Sequence, residues 1–413
     1  MNTAPRSVRI LLIALLSLWL VACSDPPVFQ RYVAVIDSGS SGSRIYLYER
    51  SEEPAGLRVR TLFTWTPATS NPLSGYESNP DHAGPLGVQP LLDALEPTLS
   101  GLGVKRSQIK ISLLATAGMR LVEQRDASVA AAIYASARRT LSATGMSVGR
   151  VETLSGLYEG VYSWADVNYL RGNLDASSGT SVGIVEVGGA SAQIAYISAS
   201  ASESNVARLS VNGRTHRVFS VSWLGLGQNE ARGAMIARPG GGVSANPCYA
   251  NNSTQYGGLT QFDAGINGYS IAAAGSSFDA AACSALYDGV LGTFNVQSTR
   301  LAEFSNMDFV GVSSIFYVMS EWKALSAPAT LMSTLTSQCV GLNAYGSQVE
   351  PFIGIITTPP NVLIQNACAN GTYIDRLLFG PNALNINAAR LSTVNDIAGQ
   401  SLTWTRGFAL TLQ

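Results

Sequence analysis

Two stretches of this 413-residue chain follow one plan, and that repetition constrains the fold more than any other feature. "VAVIDSGSSGSRIYLYE" covers residues 33–49 and "SVGIVEVGGASAQIAYI" covers residues 181–197. Setting Asp37 against Glu186 pairs Val33 with Val182, Gly39 with Gly188 and Ile45 with Ile194. Each copy is an apolar run, a carboxylate, a turn of small residues and a second apolar run, which predicts a β-hairpin. Glycines in the turn let the backbone approach a ligand, successive N–H groups form a nest for an anion, and serine hydroxyls add donors. One such turn is weak evidence, because many hairpins carry Gly and Ser for conformational reasons alone. Two matching turns, each with an acid at the end of its strand, predict a duplicated fold that closes both turns on one polyphosphate, with the acids near its metal.

Between the copies, strand and helix patterns alternate. "QIKISLLATAGMRLV" reads as a strand, Ile109 to Leu114, and then a small-residue turn, "ATAGMR". "ASVAAAIYASARRTLSATG" is helical, with a basic end and a glycine stop. "VETLSGLYEGVYSWADVNYL" begins as a strand and continues as a helix carrying Glu159. The alternation predicts α/β halves, and the length admits two domains.

The N-terminus reads as a targeting segment. Arg6 and Arg9 precede an apolar run, Ile10 to Ala22, too short to span a bilayer. Residues 1–22 are expected to be a signal peptide. "Leu20-Val21-Ala22-Cys23" resembles a bacterial lipobox, which would leave Cys23 as a lipidated N-terminus on a tether, residues 23–30. The alternative is plain cleavage with Cys23 lost. Export fits the remaining Cys248, Cys283, Cys339 and Cys368, an even number that predicts two disulfides. Three pairings are possible; neighbour pairing, Cys248–Cys283 and Cys339–Cys368, is the one expected. With two histidines and no C-x-x-C, a Cys/His zinc site is not expected. A net charge of -1 offers no basic field for nucleic acid.

These residues resemble the apyrases, the nucleoside triphosphate diphosphohydrolases, from about residue 31 to the end. "IDSGSSGSR", "LLATAGMR", "SGLYEGVYSW", "VEVGGASAQI" and "LTWTRGFAL" resemble the five apyrase regions, in order. Smaller matches are "SWLGLGQNEAR", "NPCYANNS", "FVGVSSIFYVMSEW" and "CANGTYIDRLL". The resemblance implies the duplicated actin-like, ribonuclease H-like α/β fold of two domains, with the active site in the interdomain cleft. It implies a split first domain, residues 31–155 plus about 395–413, and a second domain, residues 156–394. A monomer is expected.

The resemblance also implies roles. Glu159 is the base that takes a proton from water, with Thr116, Ser191 and Gln193 helping to place water or phosphate. Ser40, Ser41, Gly42 and Ser43 in one turn, and Gly188, Gly189, Ala190 and Ser191 in the other, hold phosphate. Few Lys or Arg lie in the motifs, so a divalent cation, Mg²⁺ or Ca²⁺, carries much of the neutralisation. Asp37 and Glu186 orient its waters. The chain departs from the family at Glu186, where Asp is usual. Arg44 and Arg120 are expected as ion-pair partners. Tyr317 matches an aromatic that stacks on the nucleobase, and Asn251 a position often occupied by Arg. Trp404 is expected to pack the returning segment beneath the first turn. Exported hydrolysis of nucleoside tri- and diphosphates by direct water attack is the function implied. An exopolyphosphatase-like phosphohydrolase of the same superfold, or an actin-like nucleotide-binding module with little hydrolysis, are the alternatives.

Overall fold

The computed structural model describes residues 29–412 apart from 69–71, 176–179, 257–272, 276, 342–343 and 355–361. The signal peptide, Cys23 and most of the tether lie outside the described residues.

The first sheet holds β1 (Tyr32–Gly39), β2 (Gly42–Glu53), β3 (Gly56–Trp65), β4 (Ile109–Ala115) and β5 (Ser147–Thr153), in the order β3-β2-β1-β4-β5. The second holds β6 (Gly183–Val187), β7 (Ser191–Ile197), β8 (Val206–Val211), β9 (Arg214–Leu224), β10 (Phe309–Ser313) and β11 (Leu391–Thr393), in the order β11-β10-β6-β7-β9-β8. The repeat is carried into the registers. Asp37 pairs with Arg44 across the antiparallel β1–β2 ladder, and Glu186 pairs with Gln193 across β6–β7. β1 runs parallel to β4 as β6 runs parallel to β10.

Side chains alternate across a strand, and β1 uses both faces. Ala34 and Ile36 join a core with Leu91, Leu95 and Leu99 of α1 (Gln89–Leu102) and Ile133 of α3 (Ala127–Ser142), which follows α2 (Ala117–Arg125). Val33 and Val35 join a second core between the two sheets, with Val161 and Trp164 of α4 (Gly156–Leu170), Ile184, Val310, and Phe408 of the C-terminal helix Trp404–Thr411. A strand covered on both faces reads as a continuous apolar run, as Val33–Ile36 does. The outer face of the second sheet packs on α5 (Gln228–Ile236), α6 (Ala280–Gly292), α7 (Ser314–Glu321) and the helix Ala367–Phe379.

The C-terminal helix is locked between the sheets. A Cβ on Gly407 would lie 1.9 Å from the Tyr162 carbonyl oxygen, so only glycine lets this helix meet α4. Arg406 and Asp166 form a fully buried ion pair at 2.6 Å, and Asp166 Oδ2 also accepts from the Thr403 amide at 2.7 Å. The disulfides are Cys248–Cys283 and Cys339–Cys368, as neighbour pairing expected. The segment read as a turn, "ATAGMR", instead ends β4 at Ala115 and opens α2 at Ala117, and Gly118 lies so close to Ser74 and Ser40 that a small residue packs the helix end there. Among the described residues no helix is long and apolar enough to cross a membrane.

Candidate active site

The two hairpin turns meet. A Cβ on Gly189 would lie 2.5 Å from Ser40 Oγ, so the second turn presents bare backbone to the first. Behind the second turn, the connection from β9 and the start of α5 collect its carbonyls. Gln228 N donates to Gly188 O at 2.8 Å, Asn229 N to Gly189 O at 2.9 Å and Gly225 N to Ala190 O at 2.8 Å. Gly227 permits this, since a Cβ there would lie 2.2 Å from Ala190 N. Among the described residues nothing accepts from the Gly189 or Ala190 amides, which leaves two donors for an anion. The first turn is tied from behind at Ser38, whose Oγ accepts from Ser43 Oγ at 3.0 Å and Leu73 N at 3.1 Å. Its carbonyl accepts from Thr116 N at 3.0 Å.

A cleft of about 770 Å³ opens along these turns. Asp37, Ser40, Ser41, Thr116, Glu159, Glu186, Gly188, Gly189, Ala190, Ser191 and Tyr317 line it. The structure thus brings together most of the residues singled out in the sequence. Gly42 and Ser43 are not among the lining residues; the Ser43 side chain instead braces Ser38. Gln193 is fully buried behind Glu159 and Ser191. Asn251 also does not line the cleft, and its side chain accepts from the Asn252 amide. Tyr317 is 56% exposed, which makes it a cleft-wall aromatic and not core packing. Trp404 is buried and lines the cleft, and its indole pulls the Asp37 carboxyl down.

Three acids stand in this space. Asp37 accepts from Arg44 at 3.2 Å through Oδ2, while among the described residues nothing hydrogen-bonds its buried Oδ1. Burial pushes its carboxyl up, against the pull of Arg44 and the Trp404 indole. Both oxygens of Glu186 are taken by hydroxyls, Ser163 at 2.5 Å and Ser313 at 3.1 Å. Burial raises Glu186 too, the two serines lower it, and the Asp37 and Asp166 charges raise it. The extra methylene of Glu therefore delivers a carboxylate to two serines. Ser313 sits at φ 58°, a conformation that costs a non-glycine residue about 1–3 kcal/mol, next to the oxygen it serves. Ser163 and Ser313 carried no signal in the sequence, since neither lies in a turn of the repeat.

Glu159 is the third acid. It sits in the first turn of α4, capped by Ser155, yet it is 7% exposed and not a solvated surface acid. Its Oε2 accepts from Arg120 and from Gln193 Nε2 at 3.0 Å. Burial raises its pKa to about 7, with Arg120 opposing and the Glu186 and Asp37 charges adding to the rise. A buried carboxylate poised near neutrality can accept a proton from water at ordinary pH.

Among the described residues no three His, Cys, Asp or Glu side chains form a metal cage. The donors fit a hard cation held through its waters, because among the described residues a buried carboxylate oxygen on Asp37 has no partner and hydroxyls hold Glu186 in place.

The structure is similar to that of a nucleoside triphosphate hydrolase from Neospora caninum, with a TM-score of 0.57 and 15% identity over 92% of each chain. That likeness shows the fold, the duplicated actin-like two-domain α/β architecture. The sequence is 31% identical to "Probable apyrase 3" of Arabidopsis thaliana over 55% of this chain and 49% of that protein. It is 27% identical to "Ectonucleoside triphosphate diphosphohydrolase 3" of Mus musculus over 58% and 49%. It is 24% identical to the "Golgi apyrase" of Saccharomyces cerevisiae over 91% and 69%. The aligned region spans about half the length of most of these relatives. A family model matches residues 27–413, and the chain belongs to the GDA1/CD39 (nucleoside phosphatase) family.

Proposed function

We propose that this protein hydrolyses terminal phosphates of nucleoside tri- and diphosphates by direct attack of water. The observation that carries the reading is the meeting of two phosphate-sized turns beside a buried Glu159 whose pKa is raised to about 7. Hydrolysis of a phosphoanhydride asks for positioning, charge neutralisation and an activated water. The free amides of Gly189 and Ala190, with Ser40 and Ser41, bind the phosphates. Thr116 and Ser191 line the same space and orient phosphate or water. Glu159 takes the proton. Asp37 and Glu186 would hold the waters of Mg²⁺ or Ca²⁺, which when bound supplies neutralisation of phosphate charge. Serines of the turns have no His or Lys base beside them in any motif, so no covalent intermediate is invoked.

Tyr317, exposed on the cleft wall, is the stacking face for the base. Asn251 would act from outside the described lining. The proposed domains are residues 31–155 with about 395–413, and residues 156–394; the C-terminal helix packed between the sheets supports the split. Export, and anchorage through Cys23, rest on the N-terminal pattern and the two disulfides.

The test is phosphate release from ATP, ADP, AMP and polyphosphate, with and without chelator. Release from ATP and ADP that chelator abolishes is expected. Activity on AMP alone, or activity indifferent to metal, would sink the proposal. Glu159→Gln should lower turnover about a hundredfold or more, with nucleotide affinity retained in calorimetry.

A further inference from the structure

Every hydrogen bond to Glu159 falls on one oxygen. Oε2 accepts from Arg120 and Gln193, and among the described residues nothing hydrogen-bonds Oε1. Oε1 is not sealed inside the protein either, and Glu159 lines the cleft. One oxygen is anchored and the other is presented.

Arg120 makes that anchor from the opposite side. It belongs to α2, which follows β4 of the first sheet. Its Nη1 donates to Ser222 Oγ of β9 at 3.1 Å, and its Nη2 donates to Glu159 of α4 and, at 3.4 Å, to Ser191 Oγ of β7. Arg120 is not among the cleft-lining residues, so both terminal nitrogens serve protein groups. The backbone is built around it. A Cβ on Gly156 would lie 2.7 Å from Arg120 Nη1 and 2.3 Å from Ser222 Cβ, so the guanidinium crosses where a side chain is missing.

We infer that Arg120 is a positioning residue: it grips Glu159 through Oε2 so that Oε1 is the proton-accepting atom facing the cleft. Because it reaches across from the first-sheet side, the base is set only while the two sides of the cleft are together. This rests on the hydrolase reading above for its chemistry, but not for its geometry. The charged groups that act on Glu159 are Arg120 from α2, Glu186 from β6 and Asp37 from β1. Removing the one opposite charge leaves two like charges and burial, all of which favour the protonated acid.

The test is a ¹³C NMR titration of the Glu159 carboxyl, assigned with Glu159→Gln, in the wild type, Arg120→Gln, Arg120→Lys and Gly156→Ala. Arg120→Gln should raise the midpoint by about one pH unit or more, Gly156→Ala should move it the same way, and Arg120→Lys should hold it part way. An unchanged midpoint in Arg120→Gln overturns the proposal whatever the activity; should that variant not fold, Gly156→Ala decides the same question. In phosphate release, Arg120→Gln should lower kcat about a hundredfold near neutrality, with KM little changed, an acid limb moved upward, and partial rescue by guanidinium ion. A raised KM at unchanged kcat would make Arg120 a phosphate ligand and overturn the inference. A wild type that releases no phosphate defeats the hydrolase reading, while the titration still decides whether Arg120 grips Glu159.

Discussion

Gly189 faces Ser40 across the cleft so closely that a single added methyl would lie 2.5 Å from the serine hydroxyl. The contact joins residues from the two halves of the repeat, and it limits how near the turns can come. Gly189→Ala should therefore wedge the turns apart and lower kcat/KM about tenfold or more, with the melting temperature little changed. In Gly189→Ala with Ser40→Ala, the second loss should be much smaller than the first, because removing the hydroxyl removes the clash. Strict additivity in steady-state kinetics would show that the Gly189–Ser40 contact does not set the spacing of the turns.

Asp37 should dominate affinity for the cation. Among the described residues its buried Oδ1 has no partner, whereas Glu186 is satisfied by two serines. Asp37→Asn should weaken Mn²⁺ binding, read by electron paramagnetic resonance, by about tenfold or more. Ser163→Ala should weaken it less, by loosening Glu186. Equal binding by wild type and Asp37→Asn would remove Asp37 from the cation site.

Stability should fall as pH rises through neutrality. Burial raises Glu159, Glu230 and Glu321 to about 7 and Asp166 and Asp375 to about 6. A carboxyl raised in the folded state binds protons more tightly there than in the unfolded chain. Its stabilising contribution is complete below about pH 4, where the unfolded carboxyl titrates, and is lost as pH climbs through 6 to 7. The metal-free protein should melt at a higher temperature at pH 5 than at pH 8, and Glu159→Gln should flatten part of that slope. A melting temperature that rises from pH 5 to pH 8 would contradict this assignment.

Tyr317→Ala should separate base from phosphate recognition. The ring is exposed on the cleft wall, away from the core. KM for nucleotides should rise several-fold, since one aromatic stack contributes about 1–3 kcal/mol, while any hydrolysis of inorganic polyphosphate stays unchanged. Equal effects on both substrates would make the tyrosine structural.

Each disulfide closes a loop, of 35 and 29 residues in sequence separation. Chain-entropy arguments put each at about 3–4 kcal/mol. Reductant should lower the melting temperature in the scanning calorimeter, and replacing either cysteine pair by serine should reproduce part of the drop.

Much of the architecture was legible because its signals are local. An apolar run, an acid and a small-residue turn sit together within each copy, and a shift common to both copies carried the pairing of Asp37 with Glu186 into matching registers. The misses have local causes as well. "ATAGMR" looked like a turn because small residues break patterns, yet its glycine is small to let a helix end pack against Ser40 and Ser74. Ser43 has the composition of a phosphate donor, but its hydroxyl is spent on Ser38.

By itself the sequence determined the two hairpins, the acids that end their strands, the glycines in their turns and the even set of cysteines, because each depends on neighbours along the chain. Only the tertiary structure decided that Gly189 would rest on Ser40, that Arg120 would hold Glu159 from 39 residues away, and that Ser313 would brace Glu186 from 127 away. Burial decided the rest. Desolvation of Glu159 comes from the packing around it and not from the stretch "SGLYEGVYSW" that carries it, and it brings the carboxyl to the neutral range.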